Sequence, residues 1–517
     1  MSAKCVKEGT RIYTAFFFKN NGMFPYFGLD GEARRDFLLD KLKSEVKDIE
    51  FIGGDLIWDM DDLVKVEERD DIDGILVYLM TGTIWPMPLW GLRKDYDSSP
   101  FRKKPMILAT DLLSGFYPLL SFCEFAKRER LPVVPVQCAD SDFENLKKAL
   151  HLIEVIHSMN RSKILLVGMA GIPEELKGFG VEDIIAGDPM VYWRCDAEQY
   201  RKTVKEVFGP EIIYMGDKEF KEKYFDEISE EEAENVAQEW EKGATRTQTR
   251  GRDWNVAGAR IYLAAKKAME DMGIDAIAVD CRTAPRGDAI EITIKERGIE
   301  RMAWPQEKLF MEVLKQIGSL PTFPCATNTQ LNDDGFTSVG EGDLDAALTH
   351  LLMRYLTEKS GFLSDPVVDL LNNHIIYAHC CPIRKWEGVD GPSQPYELRM
   401  NCAACGVTFR TQIPMNEIVT TLRINALEKK LTIHQAKTIG TIDKLDEHPG
   451  SKEGKMSFEE KGCLNKFVAE IPDSKKLIEN WNPSIFSWHR STFVGDYRKE
   501  VLDLATLLGL EINEEDR

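Results

Sequence analysis

The first part of the chain alternates short apolar runs with amphipathic segments of helical period. The apolar runs fall at about residues 11–18, 49–52, 73–80, 105–111 and 132–137. Short, continuous apolar strands separated by helices are typical of a parallel sheet that is covered by helices on both faces. The pattern predicts a doubly wound, Rossmann-like α/β domain over residues 1–161.

The alternation begins again at residue 162 and is replaced by strands near residue 374. Apolar runs at 162–169, 211–216 and 275–281 lie between helical segments at about 217–243 and 255–272. Strand patterns then follow at 396–400, 406–413, 417–424 and 430–433, before a terminal helical segment at 497–510. We therefore predict α/β architecture: a second doubly wound domain over 162–373 and a β-rich, barrel-like C-terminal domain over 374–517.

Composition excludes several classes of partner. The 517 residues carry a net charge of -20, which argues against an open nucleic-acid groove or an anionic membrane surface as the binding partner. The sequence has neither a secretion-type N-terminus nor a run of eighteen apolar residues. Eleven cysteines, an odd number, fit reduced thiols better than a disulfide framework. We expect a cytoplasmic protein.

The stretch from Pro321 to Cys381 brings acidic residues and histidines together. Glu341 and Asp343 precede an amphipathic helix, and Asp343 is the expected N-cap. Gly361 to Asp365 is predicted as a turn. Asn373 to Cys380 is predicted as a buried strand. The helix presents one apolar face made of Leu344, Ala347, Leu348, Leu351, Leu352 and Tyr355.

Oxygen and imidazole donors in this stretch suggest a divalent metal site. The candidate ligands are Glu341, Asp365, His374, His379 and the distant His489. Since the two strand histidines are an odd number of residues apart, they face opposite sides and at most one is expected in a shared site. A helix over 343–358 would be about 24 Å long, and seven extended residues return about 23 Å. Glu341 and Asp365 can therefore meet only if that helix starts late or ends early.

Two other features leave alternatives open. Cys402 and Cys405, with Cys380 and Cys381 upstream, suggest either a structural zinc site or a redox pair, although their spacing matches no common zinc finger. The tryptophans Trp85 and Trp90 follow a predicted strand. They could stack on a substrate or pack in a core or subunit interface.

Several motifs resemble the L-fucose isomerase and L-arabinose isomerase superfamily. They are the run from Leu320 to Gly335, the segment Gly340-Glu-Gly-Asp-Leu-Asp-Ala-Ala-Leu-Thr-His350, then Asp365, His379-Cys380, and His489 before Val494-Gly-Asp496. Asp365 is similar to the fucose-type enzymes. The Gly-Glu-Gly-Asp run and His379 are similar to the arabinose-type enzymes. The pair Cys402 and Cys405 departs from the family pattern.

The resemblance implies a Mn²⁺ ion, or another divalent metal, held by Glu341, Asp365 and His489. It implies that Glu341 and Asp365 also move the proton, each as acid or base. Substrate contacts are expected from Trp85, Trp90, His379 and Trp488. Family members are oligomers, so we expect a homo-oligomer, a trimer or a hexamer.

The expected activity is that of an aldose-ketose isomerase, an intramolecular oxidoreductase, on a small sugar similar to L-fucose, L-arabinose or D-arabinose. The reaction would pass through an enediolate. One alternative is a related metal-assisted lyase or epimerase acting on a sugar or sugar acid. Another is a non-catalytic carbohydrate-binding protein.

Overall fold

The computed structural model describes residues 6–18, 28–57, 60–80, 103–111, 116–168, 197–281, 318–401, 404–440, 463 and 465–517, and the single positions 287, 289, 291, 292 and 295. Their strands are numbered β1 to β19 in chain order. The chain forms two compact units: one comprises residues 6–161 with 499–511, and the other comprises 162–498 with 512–517.

The N-terminal unit contains a five-stranded parallel sheet in the order β2-β1-β3-β4-β5. Its central strands are apolar on both faces, because helices cover the sheet on each side. The strands are β1 Thr10–Phe17, β2 Ile49–Ile57, β3 Gly74–Leu79, β4 Met106–Thr110 and β5 Val133–Gln137. The helices are Gly31–Glu45, Val64–Glu67, Phe116–Glu129 and Glu144–Asn160, with a 3₁₀ turn at Met60–Leu63.

The second unit begins with a four-stranded parallel sheet in the order β10-β9-β6-β7. A small sheet in the order β14-β13-β8 lies in the same unit. The strands are β6 Lys163–Val167, β7 Glu211–Met215, β8 Arg246–Gln248, β9 Ala276–Val279, β10 Thr337–Val339, β13 Glu397–Met400 and β14 Val407–Arg410. The helices are Ala197–Val207, Asp217–Phe220, Glu230–Gly243, Arg252–Met272, Cys325–Asp333 and Leu344–Thr357, with a π-helical turn at Lys221–Phe225.

The C-terminal part of this unit is an antiparallel barrel. Six strands follow each other in the order β15-β18-β11-β12-β17-β16, and pairing of β15 with β16 closes the ring; β19 adds to β16. The strands are β11 Phe362–Asp369, β12 His374–His379, β15 Ile418–Asn425, β16 Lys430–Gly440, β17 Asn465–Glu470, β18 Arg490–Val494 and β19 Glu511–Glu514. The helices are Ser474–Asn480 and Pro483–Phe486. The helix Arg498–Leu507 belongs, apart from its first residue, to the N-terminal unit.

The predicted fold class is confirmed: two parallel α/β sheets are followed by a β-barrel. The predicted turn at Gly361 to Asp365 is wrong, because β11 begins at Phe362 and includes Asp365. Phe362 and Leu363 are buried between β12 and β18, and this pairing overrides the turn-forming character of Gly361. The three domain boundaries stay a prediction. No described helix is both long enough and apolar enough to cross a bilayer.

The helix Leu344–Thr357 begins after its predicted N-cap, Asp343, whose Oδ1 accepts a hydrogen bond from the Ala346 backbone N–H at 2.9 Å. The predicted apolar face is buried, but so is every other residue from Leu344 to Tyr355. The helix contacts β9 and β10 of the parallel sheet and β15 and β18 of the barrel. It therefore links the end of the sheet to the barrel wall.

Candidate metal centre

Four side chains of the types that ligate metals converge where the parallel sheet meets the barrel. Glu341, Asp365, His379 and His489 each offer a ligand atom, and these atoms lie within 4.8 Å of one another. Nε2 of His489 lies 3.1 Å from Oδ1 of Asp365 and 3.6 Å from Oε2 of Glu341. Nε2 of His379 lies 3.4 Å from Oε1 of Glu341. The group could hold a metal ion.

Three of these residues come from neighbouring strands of the barrel. Asp365 lies in β11, His379 ends β12 and His489 immediately precedes β18. Since Ser364 pairs with Arg490 and both β12 and β18 flank β11, the pairing register places Asp365 beside His489. Antiparallel pairing alone therefore brings three of the four donors to one end of the barrel.

Glu341 comes from the loop that follows β10, at the carboxyl edge of the parallel sheet, where ligands of such sheets usually bind. Its backbone φ of 62° is left-handed, as is the φ of 64° at Gly342. The amide of Gly342 donates to the Val279 carbonyl at 3.2 Å, which ties the loop to β9. A left-handed glutamate is strained, and such strain clusters at functional sites.

The four donors differ in exposure. The side chains of His379 and His489 are 3% and 1% exposed, whereas those of Glu341 and Asp365 are 26% and 40% exposed. The imidazoles therefore form the floor of the site and the carboxylates form its open side. A ligand arriving from solvent would meet the carboxylates first.

His489 is oriented by a buried carboxylate. Its Nδ1 lies 2.8 Å from Oδ2 of Asp343, and Asp343 in turn accepts hydrogen bonds from Arg423 at 2.6 and 3.0 Å. Burial opposes the charge on Asp343, but Arg423 and His489 hold the pKa of this carboxyl well below its usual range. An ionised Asp343 requires a proton on Nδ1, which leaves Nε2 to face the other donors. Carboxylate-histidine pairs of this kind orient metal-bound imidazoles.

The same electrostatics act on His489 when no cation is bound. Burial alone would lower its pKa, but the hydrogen bond to Asp343, the contact with Asp365 and the charge of Glu341 raise the pKa of His489 to about 9. A site that stabilises a proton on Nε2 this strongly is a site of strongly negative potential. It would stabilise a metal cation for the same reason.

Arg423 connects Asp343 to a second buried acid. Its Nη2 lies 3.8 Å from Oδ2 of Asp345, whose Oδ1 accepts a hydrogen bond from the Tyr200 hydroxyl at 2.7 Å. Burial raises the pKa of Asp345 to about 6, although Arg423 opposes this shift. One guanidinium thus stands between two carboxylates, and it is bound closely to only one of them. Arg423 therefore serves mainly to keep Asp343 ionised.

His350 is a further buried histidine near the site. Its side chain is 2% exposed, its ring packs edge-on against Phe493 at 5.3 Å, and neither nitrogen makes a hydrogen bond with a described residue. Burial lowers its pKa to about 3, although Asp343 opposes this shift. His350 is therefore neutral at physiological pH and adds no positive charge beside the four donors.

The structure brings together the three ligands implied by the family resemblance, and it adds His379 to them. Only one of the two strand histidines is in the group, as their odd spacing predicted; His374 is not in it. The geometric condition on Glu341 and Asp365 is met, because the helix between them ends at Thr357. Metal binding and catalysis by these residues remain predictions.

The other residues named from the sequence do not belong to the four-donor group, or they lie outside the described residues. Trp488 is 43% exposed and adjoins His489 in sequence. Trp85, Trp90 and Cys402 lie outside the described residues. Cys380, Cys381 and Cys405 are buried thiols, and no zinc-type group that includes them occurs in the part of the chain that the structure describes.

Sequence reasoning missed the residues that support the donors. Asp343 was expected only as a helix cap, yet its second oxygen binds His489. Arg423 lies in an ordinary strand pattern, and Tyr200 in an ordinary helical pattern. Nothing in the local sequence distinguishes these two from surface residues, because their partners are more than seventy positions away.

No family model matches the chain, and no curated protein matches it at a significant level.

Proposed function

We propose that this protein is a divalent-metal-dependent aldose-ketose isomerase that acts on a small sugar through an enediolate. The observation that supports the proposal is the convergence of Glu341, Asp365, His379 and His489 within 4.8 Å. The resemblance to the L-fucose and L-arabinose isomerase superfamily supplies the reaction type.

The residues present fit a divalent ion. Two carboxylates and two imidazoles suit Mn²⁺ and related ions, which accept mixed oxygen and nitrogen ligands. The Nε2 atom of His489 faces Oδ1 of Asp365 at 3.1 Å and Oε2 of Glu341 at 3.6 Å. These carboxylates stabilise a proton on Nε2, and they would stabilise a cation that replaces that proton for the same reason. When bound, the ion would act as a Lewis acid that stabilises negative charge on the two sugar oxygens.

The chain's own carboxylates would carry the proton. Isomerisation removes a proton from C2 of the aldose and returns one to C1. Asp365 uses only Oδ1 in its contact with His489, so its Oδ2 can serve as acid or base towards a sugar on the exposed side. Glu341, from the loop after β10, would act as the second acid or base on the other side of C1 and C2 of the sugar. The buried histidines would exclude water from beneath the substrate.

The proposal is tested by proton NMR in D₂O. The protein is stripped with a chelator, Mn²⁺ is restored, and aldoses, ketoses and sugar acids are supplied in turn. We expect deuterium to enter C1 or C2 and the partner sugar to form. Neither deuterium incorporation nor the partner sugar should be seen with Glu341→Gln or Asp365→Asn. Asp369→Asn is the matched control, since Asp369 lies on the same strand but caps the following turn.

Other outcomes would replace the proposal. Exchange of deuterium without a ketose would indicate a lyase or an epimerase. Thermal stabilisation by a sugar, with neither exchange nor product, would indicate a binding protein. Full activity in Glu341→Gln would remove the assigned chemistry altogether.

A further inference from the structure

Two thiols adjoin the strand pair that carries His379, one of the four donors. Cys380 follows His379 at the end of β12, and Cys463 lies two residues before Asn465, where β17 begins. The two strands are antiparallel neighbours, and His379 pairs with Asn465. Strand pairing therefore brings both cysteines to the same end of the barrel.

The two sulfur atoms are in contact. Sγ of Cys380 lies 3.5 Å from Sγ of Cys463. Both are reduced, and they pack with Cys325, Cys381 and Phe323 in a small apolar cluster. A disulfide has a sulfur separation of about 2.05 Å, so the pair must close by about 1.5 Å to form one.

Access distinguishes this pair from the other cysteines of the cluster. Cys463 is half-buried, whereas Cys325, Cys380 and Cys381 are all buried. A small oxidant can therefore reach Cys463 first, and the buried Cys380 is then in position to complete the bond. Redox-sensitive pairs commonly consist of an accessible cysteine and a neighbouring resolving cysteine.

We propose that Cys380 and Cys463 form a reversible disulfide that weakens metal binding by the neighbouring Glu341, Asp365, His379 and His489 group; this rests on the metal site of the proposed function. The oxidant is a small disulfide such as oxidised glutathione. Cys463 displaces one glutathione and forms a mixed disulfide. Cys380 then attacks the Cys463 sulfur and releases the second glutathione. Two protein thiols are oxidised, and one glutathione disulfide is reduced to two thiols.

The coupling follows from chain connectivity. The carbonyl of Cys380 accepts a hydrogen bond from the Thr408 hydroxyl, which fixes the backbone directly after His379. To close a gap of about 1.5 Å, the two side chains or the backbone that carries them must move, whereas metal–ligand distances in a site lie within about 0.2 Å of their usual values. The His379 ring packs edge-on against Phe362 and His489, with ring centroids 6.4 and 6.0 Å apart, so a shift of His379 disturbs its neighbours in the site. Disturbing one oriented ligand typically lowers affinity about 10-fold to 100-fold.

The test uses the full-length protein in glutathione buffers of stepped redox ratio. Mass spectrometry of proteolytic peptides identifies the disulfide, and electron paramagnetic resonance of unbound Mn²⁺ gives the dissociation constant. We expect a Cys380–Cys463 peptide, a dissociation constant about tenfold higher or more, and full recovery with dithiothreitol. Cys463→Ser should show no redox response. Cys123→Ser, which alters a half-buried thiol of the N-terminal unit, should respond as the parent does.

Two results would overturn the proposal. One is the absence of the Cys380–Cys463 peptide under buffers that oxidise other thiols of the chain. The other is formation of that peptide with an unchanged dissociation constant for Mn²⁺. Failure of the proposed function is separate: reduced protein that binds Mn²⁺ but isomerises no sugar would remove the isomerase and leave the redox coupling standing.

Discussion

Replacing Glu341 by glycine should give a metal-free protein that is more stable than the Glu341→Gln variant, although both substitutions destroy the metal site. Glu341 has a φ of 62°, where an L-residue other than glycine costs about 1–2 kcal/mol. Glu341→Gln retains this strained backbone and loses only the charge. Both variants lose the attraction between Glu341 and His489. The difference in unfolding free energy between them therefore isolates the backbone, and we expect Glu341→Gly to be about 1 kcal/mol more stable.

The assay is thermal unfolding of chelator-treated protein followed by circular dichroism. For a unit of this size, about 1 kcal/mol corresponds to a rise in Tm of about 1–3 °C. Lys429→Gly is the matched control, because Lys429 has a φ of 53° in the exposed turn between β15 and β16. It should gain similar stability and keep its Mn²⁺ affinity. If Lys429→Gly is stabilised and Glu341→Gly is no more stable than Glu341→Gln, the left-handed backbone of Glu341 carries no strain.

The remaining predictions concern pH and metal. Since the pKa of His489 is raised to about 9 despite its burial, Mn²⁺ must displace a proton below that pH, and its affinity should fall about tenfold per pH unit between about pH 8.5 and 6.5. Asp343→Asn should lower the pKa of His489 and so reduce the dependence of Mn²⁺ affinity on pH. A parent protein whose Mn²⁺ affinity does not change with pH would contradict this prediction. Burial lowers the pKa of His350 from 6.5 to about 3, so the unfolded chain binds the extra proton between these values and stability is lost as pH falls. His350→Leu should therefore reduce the pH dependence of the urea midpoint in that range, and an unchanged dependence would count against a neutral buried His350.

The fold was predictable because its dominant signals are local. Short, continuous apolar runs such as β3 and β4, of six and five residues, are typical of strands covered on both faces. Elements with weak local signals were missed. β10 has only the three residues Thr337 to Val339, and β18 begins Arg490-Ser491-Thr492, which has no apolar alternation. Their strand conformation comes from pairing with distant neighbours.

The candidate ligands could be predicted from the sequence, but the residues that orient them could not. Glu341, Asp365 and His489 were named because their motifs resemble those of a known superfamily. The contact of Arg423 with Asp343 spans 80 positions, and no pattern in either segment indicates it. The odd spacing of His374 and His379 shows that only one of them can face the site, but it does not show which one. Tertiary packing decides such questions.

Equilibrium dialysis of chelator-stripped protein against Mn²⁺ shows whether these four side chains hold a divalent ion. We predict one ion per chain in the parent protein, and loss of that binding in His489→Gln, which removes the imidazole that Asp343 orients. Asp473→Asn, which alters an exposed helix cap away from the four donors, should bind as the parent does. Absence of binding in the parent, or undiminished binding in His489→Gln, would contradict the assignment.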